Sequence, residues 1–376
     1  MYRLNTTEEI SDFVRGVTFL GTGGGGRASD GFEHLKACLN EGIDPEWMDV
    51  ERVPDDAWCC CVFGMASIAP AEEKSGTPYG IKGKVVEQPM IKAIRKLEEF
   101  AGVKIEVIVP FELGGANTPK AMAAGLRIGA IVPDGDFCGR AAPELSQTTV
   151  AINGISATPI SVCDDWGNEI IVKEAASLEC AEAIGKFISI VSKAPDKKGT
   201  CAHAAYLMTG KDLKKYIVRG TLTKSYEVGK AIRKARETDE DIIASIEKAA
   251  NAKCIFKGTV KKVDWVDQEG YMIGTTYISG KDEYAGKEMS IWFKNENHLA
   301  KIDGEIQVTS PDLIEVVDAN NGEPITNTLM KAGFEAAVFT MPNKWFRTEA
   351  GIANFGPKHF GIDAEYIPVE ERIKFD

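Results

Sequence analysis

The spacing of apolar residues in the first 150 positions predicts helices and strands in alternation. Four helices are indicated by helical spacing and cap residues: 7–15 after the Thr6–Glu9 capping box, 31–42 after Asp30, one from Pro89 to about Ala101, and one that starts at Pro119 after Thr118. Four apolar runs are typical of buried strands: VTFL (17–20), CCCVFG (59–64), VKIEVIVP (103–110) and IGAIV (128–132). This alternation predicts an α/β domain built on a parallel or mixed sheet.

After residue 150 the pattern continues through a hairpin, a strand and further helices before it changes. These elements are predicted at a DWGN turn (165–168), helices over about 177–194, 225–237 and 240–252, and a strand at HAAYLM (203–208). From 254 to about 318, short alternating runs separated by Gly, Asn and Asp are typical of a small β-barrel or sandwich. We expect a glycine-loop α/β domain at 1–165, completed by the helices and strands of 166–250, and a smaller, mainly-β C-terminal domain at 251–376.

Composition narrows the class of partner. The chain has 376 residues, and 56 acidic against 44 basic residues give a net charge of −12. That charge repels nucleic acid, and no concentrated Lys/Arg stripe offsets it, so we expect a small-molecule partner and no nucleic acid. No apolar run approaches the length of a membrane span, and the nine scattered cysteines do not suggest a disulfide framework. We expect a cytoplasmic protein without membrane contact, and leave open whether it forms a homo-oligomer.

The segment GTGGGG (21–26), called here the glycine loop, contains the spacing G-x-G-x-x-G. A dinucleotide site needs a helix directly after such glycines, whereas RASDG intervenes here, and the G-K-[ST] of a P-loop is missing. The glycines could also serve only to turn the chain at positive φ. We favour a third interpretation, in which the amides of Gly23, Gly24, Gly25 and Gly26 line a substrate cavity and donate to a ligand oxygen or a developing anion, and no nucleotide binds.

Two polar loops, PFELGGANTP and VPDGDFCGRAAPEL, each follow a predicted strand, and such loops converge beyond the carboxyl ends of strands in open α/β sheets. Together they carry six residues able to act on a substrate: Glu112, Asn117, Asp134, Asp136, Arg140 and Glu144. One carboxylate could act as a base while a second orients or protonates the substrate. The structural alternative is that Arg140 pairs with Glu144 and that Asp134 only ends a strand.

Metal-binding and nucleophilic motifs are weak. The four histidines form no H-E-x-x-H or H-x-H motif. Cys201 and His203 lie two positions apart on a predicted strand, so they face the same side. They could form a thiolate–imidazole pair, supply two metal ligands, or be a buried thiol beside a hydrogen-bonded histidine, and a divalent metal stays open. Asn295, Glu296 and Asn297 end an apolar run and could either reach a ligand or cap the β unit.

Seven segments, in this order, resemble the DUF917 family of S-methyl thiohydantoin desulfurase-like proteins: FLGTGGGG, ELGGAN, PDGDFCGRAAPEL, GTLTKSYEVGKAI, KNENHLA, VVDANNGEPIT and FGPKHFGID. The resemblance spans nearly the whole chain, in an N-terminal and a C-terminal family domain. It implies hydrolysis of an S-methyl thiohydantoin to a hydantoin and methanethiol, with a hydantoinase- or oxoprolinase-type protein as a partner. Cys138 and the CAHAA segment depart from the family pattern, which weakens the case for Cys201 and His203 as catalytic groups.

The resemblance also implies a set of site residues. Besides the glycine loop, the family's motifs are matched at nine positions: Glu112, Gly114, Gly115, Asn117, Asp136, Gly139, Arg140, Pro143 and Glu144. In this hypothesis Asp136 or Glu112 is the base that activates water, with Asp134 as the next candidate. Arg140 and Asn117 would orient the substrate, and the glycines and the remaining glutamate would help to bind it. The alternatives are a non-catalytic partner subunit of a hydantoinase/oxoprolinase-type enzyme and a nucleotide-dependent enzyme that uses the glycine loop.

Overall fold

Two large sheets organise the chain in the computed structural model, which describes residues 1–66, 86–192 and 199–375. The helices are α1 Thr7–Phe19, α2 Ala28–Asn40, α3 Pro89–Ala101, α4 Asn117–Arg127, α5 Thr149–Ile152, α6 Leu178–Val191, α7 Gly210–Tyr216, α8 Thr221–Thr238, α9 Ile242–Ala250, α10 Glu349–Phe355 and α11 Val369–Arg372. The strands are β1 Tyr2–Arg3, β2 Glu46–Trp47, β3 Trp58–Met65, β4 Ile105–Pro110, β5 Gly135–Asp136, β6 Ile160–Asp164, β7 Glu169–Val172, β8 Cys201–Thr209, β9 Val218–Arg219, β10 Lys253–Gln268, β11 Tyr271–Gly280, β12 Glu288–Lys294, β13 Glu296–Ile302, β14 Glu305–Thr309, β15 Leu313–Asp318 and β16 Glu335–Met341. Within these described ranges, no helix has both the length and the apolar character needed to cross a membrane.

The first large sheet is mixed, as predicted. Its strand order is β4-β3-β8-β6-β7, in which β3 runs parallel to β4 and antiparallel to β8. Strand β3, between β4 and β8, is buried on both faces, so Cys59 and Cys61 lie in one hydrophobic core and Cys60 lies in another, beneath α3 and α4. Burial raises the pKa of all three thiols, which therefore act as small apolar side chains.

The second large sheet is antiparallel and has seven strands in the order β14-β13-β12-β11-β10-β16-β15. Strand β12 shows the predicted alternation, with Met289, Ile291 and Phe293 buried between more exposed residues. Another core joins this sheet to the first helix, where Phe19 of α1 meets Phe339 of β16 with ring centroids 6.0 Å apart. The chain is therefore α/β with a mainly-β C-terminal part, as predicted.

The VTFL run is helical, so the prediction of a strand before the glycine loop is wrong. Helix α1 continues to Phe19 because Ile10, Phe13, Val14 and Val17 recur at helical spacing and are buried in a core that also contains residues of α8. The predicted Thr6–Glu9 capping box is present at its start. The glycine loop therefore joins two helices, α1 and α2, and the strand–loop–helix order of a dinucleotide site is not formed.

The IGAIV run (128–132) was also predicted as a strand, and this prediction is wrong. It meets β4 through an isolated parallel bridge between Ile131 and Val107, without a continuous ladder. Pro133 follows directly, and its lack of an amide hydrogen stops a ladder from extending there.

Two helices begin earlier than predicted. Helix α2 starts at Ala28, so Asp30 lies in its first turn and does not cap it. Helix α4 starts at Asn117, one position before the predicted cap residue Thr118. The Thr118 hydroxyl instead donates to the Glu112 carbonyl at 2.8 Å, which holds the loop that precedes α4.

Helices α1 and α8 approach each other closely at two glycines. A Cβ on Gly16 would lie 1.6 Å from the Ser225 carbonyl oxygen, and a Cβ on Gly229 would lie 1.8 Å from the Asp12 carbonyl oxygen. The two backbones are therefore in contact at this crossing. Because the glycine loop follows α1 directly, the crossing also sets where the loop begins.

We expect Gly16→Ala to lower the free energy of unfolding by about 1–3 kcal/mol, because the added methyl group must push α1 away from α8. Alanine favours a helix by roughly 0.5–1 kcal/mol over glycine, so a site without the contact would change in the opposite direction. Urea unfolding measures the difference, and the exposed Thr7→Ala on the same helix is the control. A Gly16→Ala protein as stable as the wild type would contradict the close crossing.

Candidate active site

The glycine loop is hydrogen-bonded on both of its sides. The Gly25 carbonyl accepts from the amides of Ala116 and Asn117, at 3.0 and 3.1 Å, where α4 begins. The Gly23 carbonyl accepts from the Asn327 amide at 2.8 Å. Because Asn327 lies between β15 and β16, the loop joins the part of the chain that carries the mixed sheet to the part that carries the antiparallel sheet.

Close packing explains why several of the glycines predicted to bind substrate have no room for a side chain. A Cβ on Gly24 would lie 1.8 Å from Glu296 Oε1, and a Cβ on Gly25 would lie 2.3 Å from Gly114 Cα. Gly114 and Gly115 are buried, and Gly114 packs against Gly25 of the loop, while Gly115 packs against the Thr18 hydroxyl before the loop and the Ala28 backbone after it, so their role in this structure is to let the loop approach.

A cavity of about 630 Å³ opens beside the glycine loop. Its polar side includes the loop, Glu112, Asn117 and Glu296, and its apolar side includes the end of β3 and the start of α3. Helices α2, α3 and α4 all begin at its wall, and no side chain caps their first turns. Arg27 and Lys120 also line the wall, and with the positive ends of these three helix dipoles they favour a ligand with electron-rich oxygen or nitrogen atoms.

Glu112 follows β4, lies on the cavity wall and is 4 % exposed. Its Oε1 accepts from Asn117 Nδ2 at 2.7 Å, and its Oε2 accepts from the Ala142 amide at 2.8 Å. Burial raises the pKa of this carboxyl to about 7, although both hydrogen bonds favour the charged form. Glu112 is therefore able to exchange a proton with a ligand near neutral pH.

Glu296 begins β13 and reaches the same cavity from the antiparallel sheet, which is one of the two interpretations that the sequence left open. Its side chain is buried, and its Oε2 has no hydrogen-bond partner among the described residues. Burial and the charge of Glu112 raise the pKa of Glu296 well above its usual range, against the opposing charge of Arg140. Burial therefore favours the protonated form of Glu296 on the cavity wall.

Arg140 is fully buried, and its guanidinium group donates to backbone carbonyls and to one hydroxyl. It donates to the carbonyls of Ala141, Asp312 and Asn297 and to the Thr22 hydroxyl, at distances between 2.8 and 3.1 Å. Burial lowers the pKa of Arg140 to about 10, which still leaves it charged at neutral pH. Arg140 therefore ties the glycine loop to β13 and to the segment before β15, and the structure places it outside the cavity wall.

Asp136 and Asp134 lie in and beside β5, away from the cavity wall. Asp136 Oδ1 accepts from two backbone amides at 2.5 and 2.6 Å, and burial raises the pKa of Asp136 to about 7. Asp134 Oδ1 accepts from two amides in the first turn of α8, both at 3.0 Å, and so caps that helix. Of the three predicted candidates for the base, the structure brings Glu112 to the cavity.

Glu144 lines the cavity and contacts two side chains from the C-terminal part of the chain. Its carboxylate accepts from Lys294 and, at 2.6 Å, from Nε2 of His359. Burial by itself raises the pKa of Glu144, but the hydrogen bond from His359 and the charge of Lys294 outweigh burial and lower the pKa to about 2. These contacts fasten the C-terminal part of the chain to the cavity wall.

Cys201 and His203 are both buried on β8. The Cys201 thiol donates to the Gly185 carbonyl at 3.4 Å, and burial raises its pKa. His203 stacks on Phe63 with ring centroids 4.9 Å apart, and burial lowers the pKa of His203 to about 4. Across the residues that the structure describes, no three His, Cys, Asp or Glu side chains are grouped so as to hold a metal ion.

Sequence reasoning missed the apolar wall of the cavity and one segment of its rim. Phe63, Met65 and Met90 line the wall, and Thr326 and Thr328 lie on the rim. The first three belong to a strand and a helix face whose pattern indicates burial, and burial alone does not distinguish a core from a cavity wall. Thr326 ends the VVDANNGEPIT segment and Thr328 follows it, but no charged or nucleophilic group in that segment indicated a cavity.

We expect the stability of Glu112→Gln relative to the wild type to increase as the pH rises. The folded-state pKa of about 7 lies above the ordinary value of 4.5, so the folded protein binds more protons between these values and loses stability as the pH rises through them. Glutamine removes this loss. Urea unfolding at about pH 5 and about pH 8 measures it, with the exposed Glu106→Gln as control. A difference in unfolding free energy that stays constant with pH would contradict the raised pKa.

Comparisons with known proteins agree with this architecture. Two family models, described as "S-Me-THD-like, N-terminal domain" and "S-Me-THD-like, C-terminal domain", match residues 8–174 and 192–369 respectively. An X-ray crystal structure of a protein from Chromobacterium violaceum superposes with a TM-score of 0.75 at 20 % identity, over 98 % of this chain and 100 % of that one, which shows a shared fold. No curated protein matches the chain. Because both family models match, in order and over nearly the whole length, the chain belongs to the S-Me-THD-like family.

Proposed function

We propose that this protein is a hydrolase of five-membered rings of the hydantoin and thiohydantoin type, and that it converts an S-methyl thiohydantoin to a hydantoin and methanethiol. The observation that carries the proposal is the pair of buried carboxyl groups, Glu112 and Glu296, on the wall of one cavity. Membership of the S-Me-THD-like family supports the choice of substrate.

The two carboxyl groups differ in a way that suits acid–base catalysis. Glu112, with a pKa near 7, is partly ionised at neutral pH and acts as the base that accepts a proton from water. Glu296, whose pKa burial raises well above its usual range, keeps its proton and acts as the acid. Paired titratable groups whose pKa values are pushed apart by their surroundings are typical of such an assignment.

In the first step, water attacks the ring carbon that carries the methylthio group. The new C–O bond forms as Glu112 accepts a proton from the water and Glu296 gives its proton to the ring nitrogen that receives the electron pair. In the second step the remaining O–H proton returns to Glu296, the carbonyl forms and the C–S bond breaks. The methanethiolate leaves with the proton from Glu112, so both carboxyl groups regain their starting states.

The cavity wall also supplies donors for the charge that develops on the ring. Gly23 and Gly26 lie on the wall, and their amides have no acceptor within the described part of the chain. Fixed amide donors of this kind stabilise an anion without having to reorient during the reaction. Arg140, whose contacts hold the glycine loop against β13, keeps these donors in place.

We expect purified wild-type protein to release methanethiol from an S-methyl thiohydantoin, detected with a thiol reagent. Glu112→Gln and Glu296→Gln should each lower kcat by about 10²- to 10⁴-fold, because each removes one proton-transfer group. Asp30→Asn, which changes an exposed carboxylate on the cavity wall, is the matched control and should keep wild-type activity within a few-fold. Normal turnover by Glu112→Gln together with an inactive Asp136→Asn would move the role of the base to Asp136.

Chelation provides a separate test of the same proposal. Because both proton transfers use carboxyl groups of the chain, we expect the release of methanethiol to continue at the same rate after treatment with a chelator and desalting. Loss of release that added divalent metal restores would contradict the carboxyl-only scheme. Absence of release under every condition, in a protein that co-purifies with a hydantoinase-type enzyme, would favour the partner-subunit alternative.

A further inference from the structure

Six glycines line the cavity within the described residues, and five of them have a structural reason to be glycine. Four have positive φ, with values of 87° at Gly23, 73° at Gly25, 85° at Gly26 and 80° at Gly270. The fifth, Gly24, has no room for a side chain beside Glu296. Backbone conformation and packing therefore account for these five positions.

Gly64, near the end of β3, has neither reason. Its φ lies outside the left-handed region, and a Cβ there would meet Asn117 Oδ1 at 3.4 Å and Met90 Cε at 3.8 Å, which are ordinary van der Waals contacts. Alanine would therefore fit the protein itself. Glycine within a strand marks a place where a ligand can approach the backbone closely, and Gly64 faces the cavity.

Small groups surround Gly64 on the face of β3 and β8 that carries Met90. Ala202 on β8 is its direct neighbour across the antiparallel strand pair, and it also lies on the cavity wall. Two adjacent strands thus present a hydrogen and a methyl group side by side. Such a surface suits the face of a planar ring.

The groups beside Gly64 differ in polarity. Asn117 Nδ2 donates to Glu112 at 2.7 Å, which leaves Asn117 Oδ1 as the amide atom that faces Gly64. That oxygen is an acceptor for an N–H group. The terminal methyl group of Met90 lies next to the same Gly64 position and offers an apolar contact.

We propose that Gly64 is the specificity-determining position of the cavity: a planar ring lies against its bare Cα, donates a ring N–H to Asn117 Oδ1 and turns an apolar substituent towards Met90. The inference rests on the proposed function, in which the ring is the thiohydantoin and the substituent is its S-methyl group. Because Asn117 is bonded to Glu112, this placement brings the ring next to the base.

Gly64→Ala tests whether the ring lies against the bare Cα of Gly64. We expect the variant to unfold at the wild-type temperature and to lose at least about 10-fold in kcat/KM for the S-methyl thiohydantoin, because one methyl group then occupies the space of the ring. Hydantoin, the product, should also bind at least about 10-fold more weakly in calorimetry. A folded Gly64→Ala that keeps wild-type kcat/KM and hydantoin affinity would overturn the inference.

Met90→Ala tests the substituent wall and does not depend on the stability of the first variant. Removing the side chain should raise the ratio of kcat/KM for the S-ethyl over the S-methyl compound by about 10-fold, because the larger group gains room. Met48→Ala, at a half-buried methionine away from the cavity, is the control and should leave the ratio unchanged. An unchanged ratio in Met90→Ala would overturn the placement of the substituent.

The two proposals fail in different ways. A wild type that binds hydantoin, and loses that binding in Gly64→Ala, but turns over no thiohydantoin would support the ring site and overturn the proposed function. A wild type that turns over the S-methyl compound at the same rate as Gly64→Ala and Met90→Ala would support the function and overturn the ring site. Neither binding nor turnover by the wild type would overturn both.

Discussion

The site depends on how closely backbones approach at the glycine loop. Gly24 lies where any Cβ would overlap the Glu296 carboxyl group, and Gly25 lies where any Cβ would overlap Gly114. This contact brings a residue of the antiparallel sheet to the same cavity as Glu112, which belongs to the mixed-sheet part of the chain. A side chain at either loop glycine would separate the two carboxyl groups, since interiors are close-packed and do not yield by an ångström without cost.

The buried charge of Arg140 sets how the glycine loop is placed against β13. Arg140 is fully buried, so its hydrogen bonds to the Thr22 hydroxyl and to the Asn297 and Asp312 carbonyls take the place of solvation by bulk water. Removing one partner of such a buried network costs far more than the network contributes over an apolar replacement. Its effect is to allow one relative placement of the loop and β13, and the Arg140 charge also limits how far burial raises the pKa of Glu296.

The cavity combines ionisable carboxyl groups with an apolar lining. Its carboxyl groups are removed from water, which raises both pKa values and brings that of Glu112 to about 7, where proton transfer at neutral pH is efficient. The same low polarity is provided by Phe63, Phe111 and Met90, which also form a surface for an apolar substituent. Burial thus sets both the acid–base chemistry and the shape of the site, and the helix dipoles of α2, α3 and α4 place positive potential at the wall without adding ionisable groups.

The sequence by itself determined the local elements and most of the fold class, because helical spacing, caps and apolar runs are properties of neighbouring residues. The mixed sheet, the hairpin and the β-rich second part follow from those patterns, and the PFELGGANTP loop identified Glu112. Tertiary structure decided the rest. The VTFL run has no local feature that separates a strand from the last turn of a helix, and its packing in the core shared with α8 settles it as helix. Whether a buried polar residue faces a cavity or a partner depends on distant chain segments, which is why Arg140 and Asp134 became structural ties while Glu296 reached the cavity.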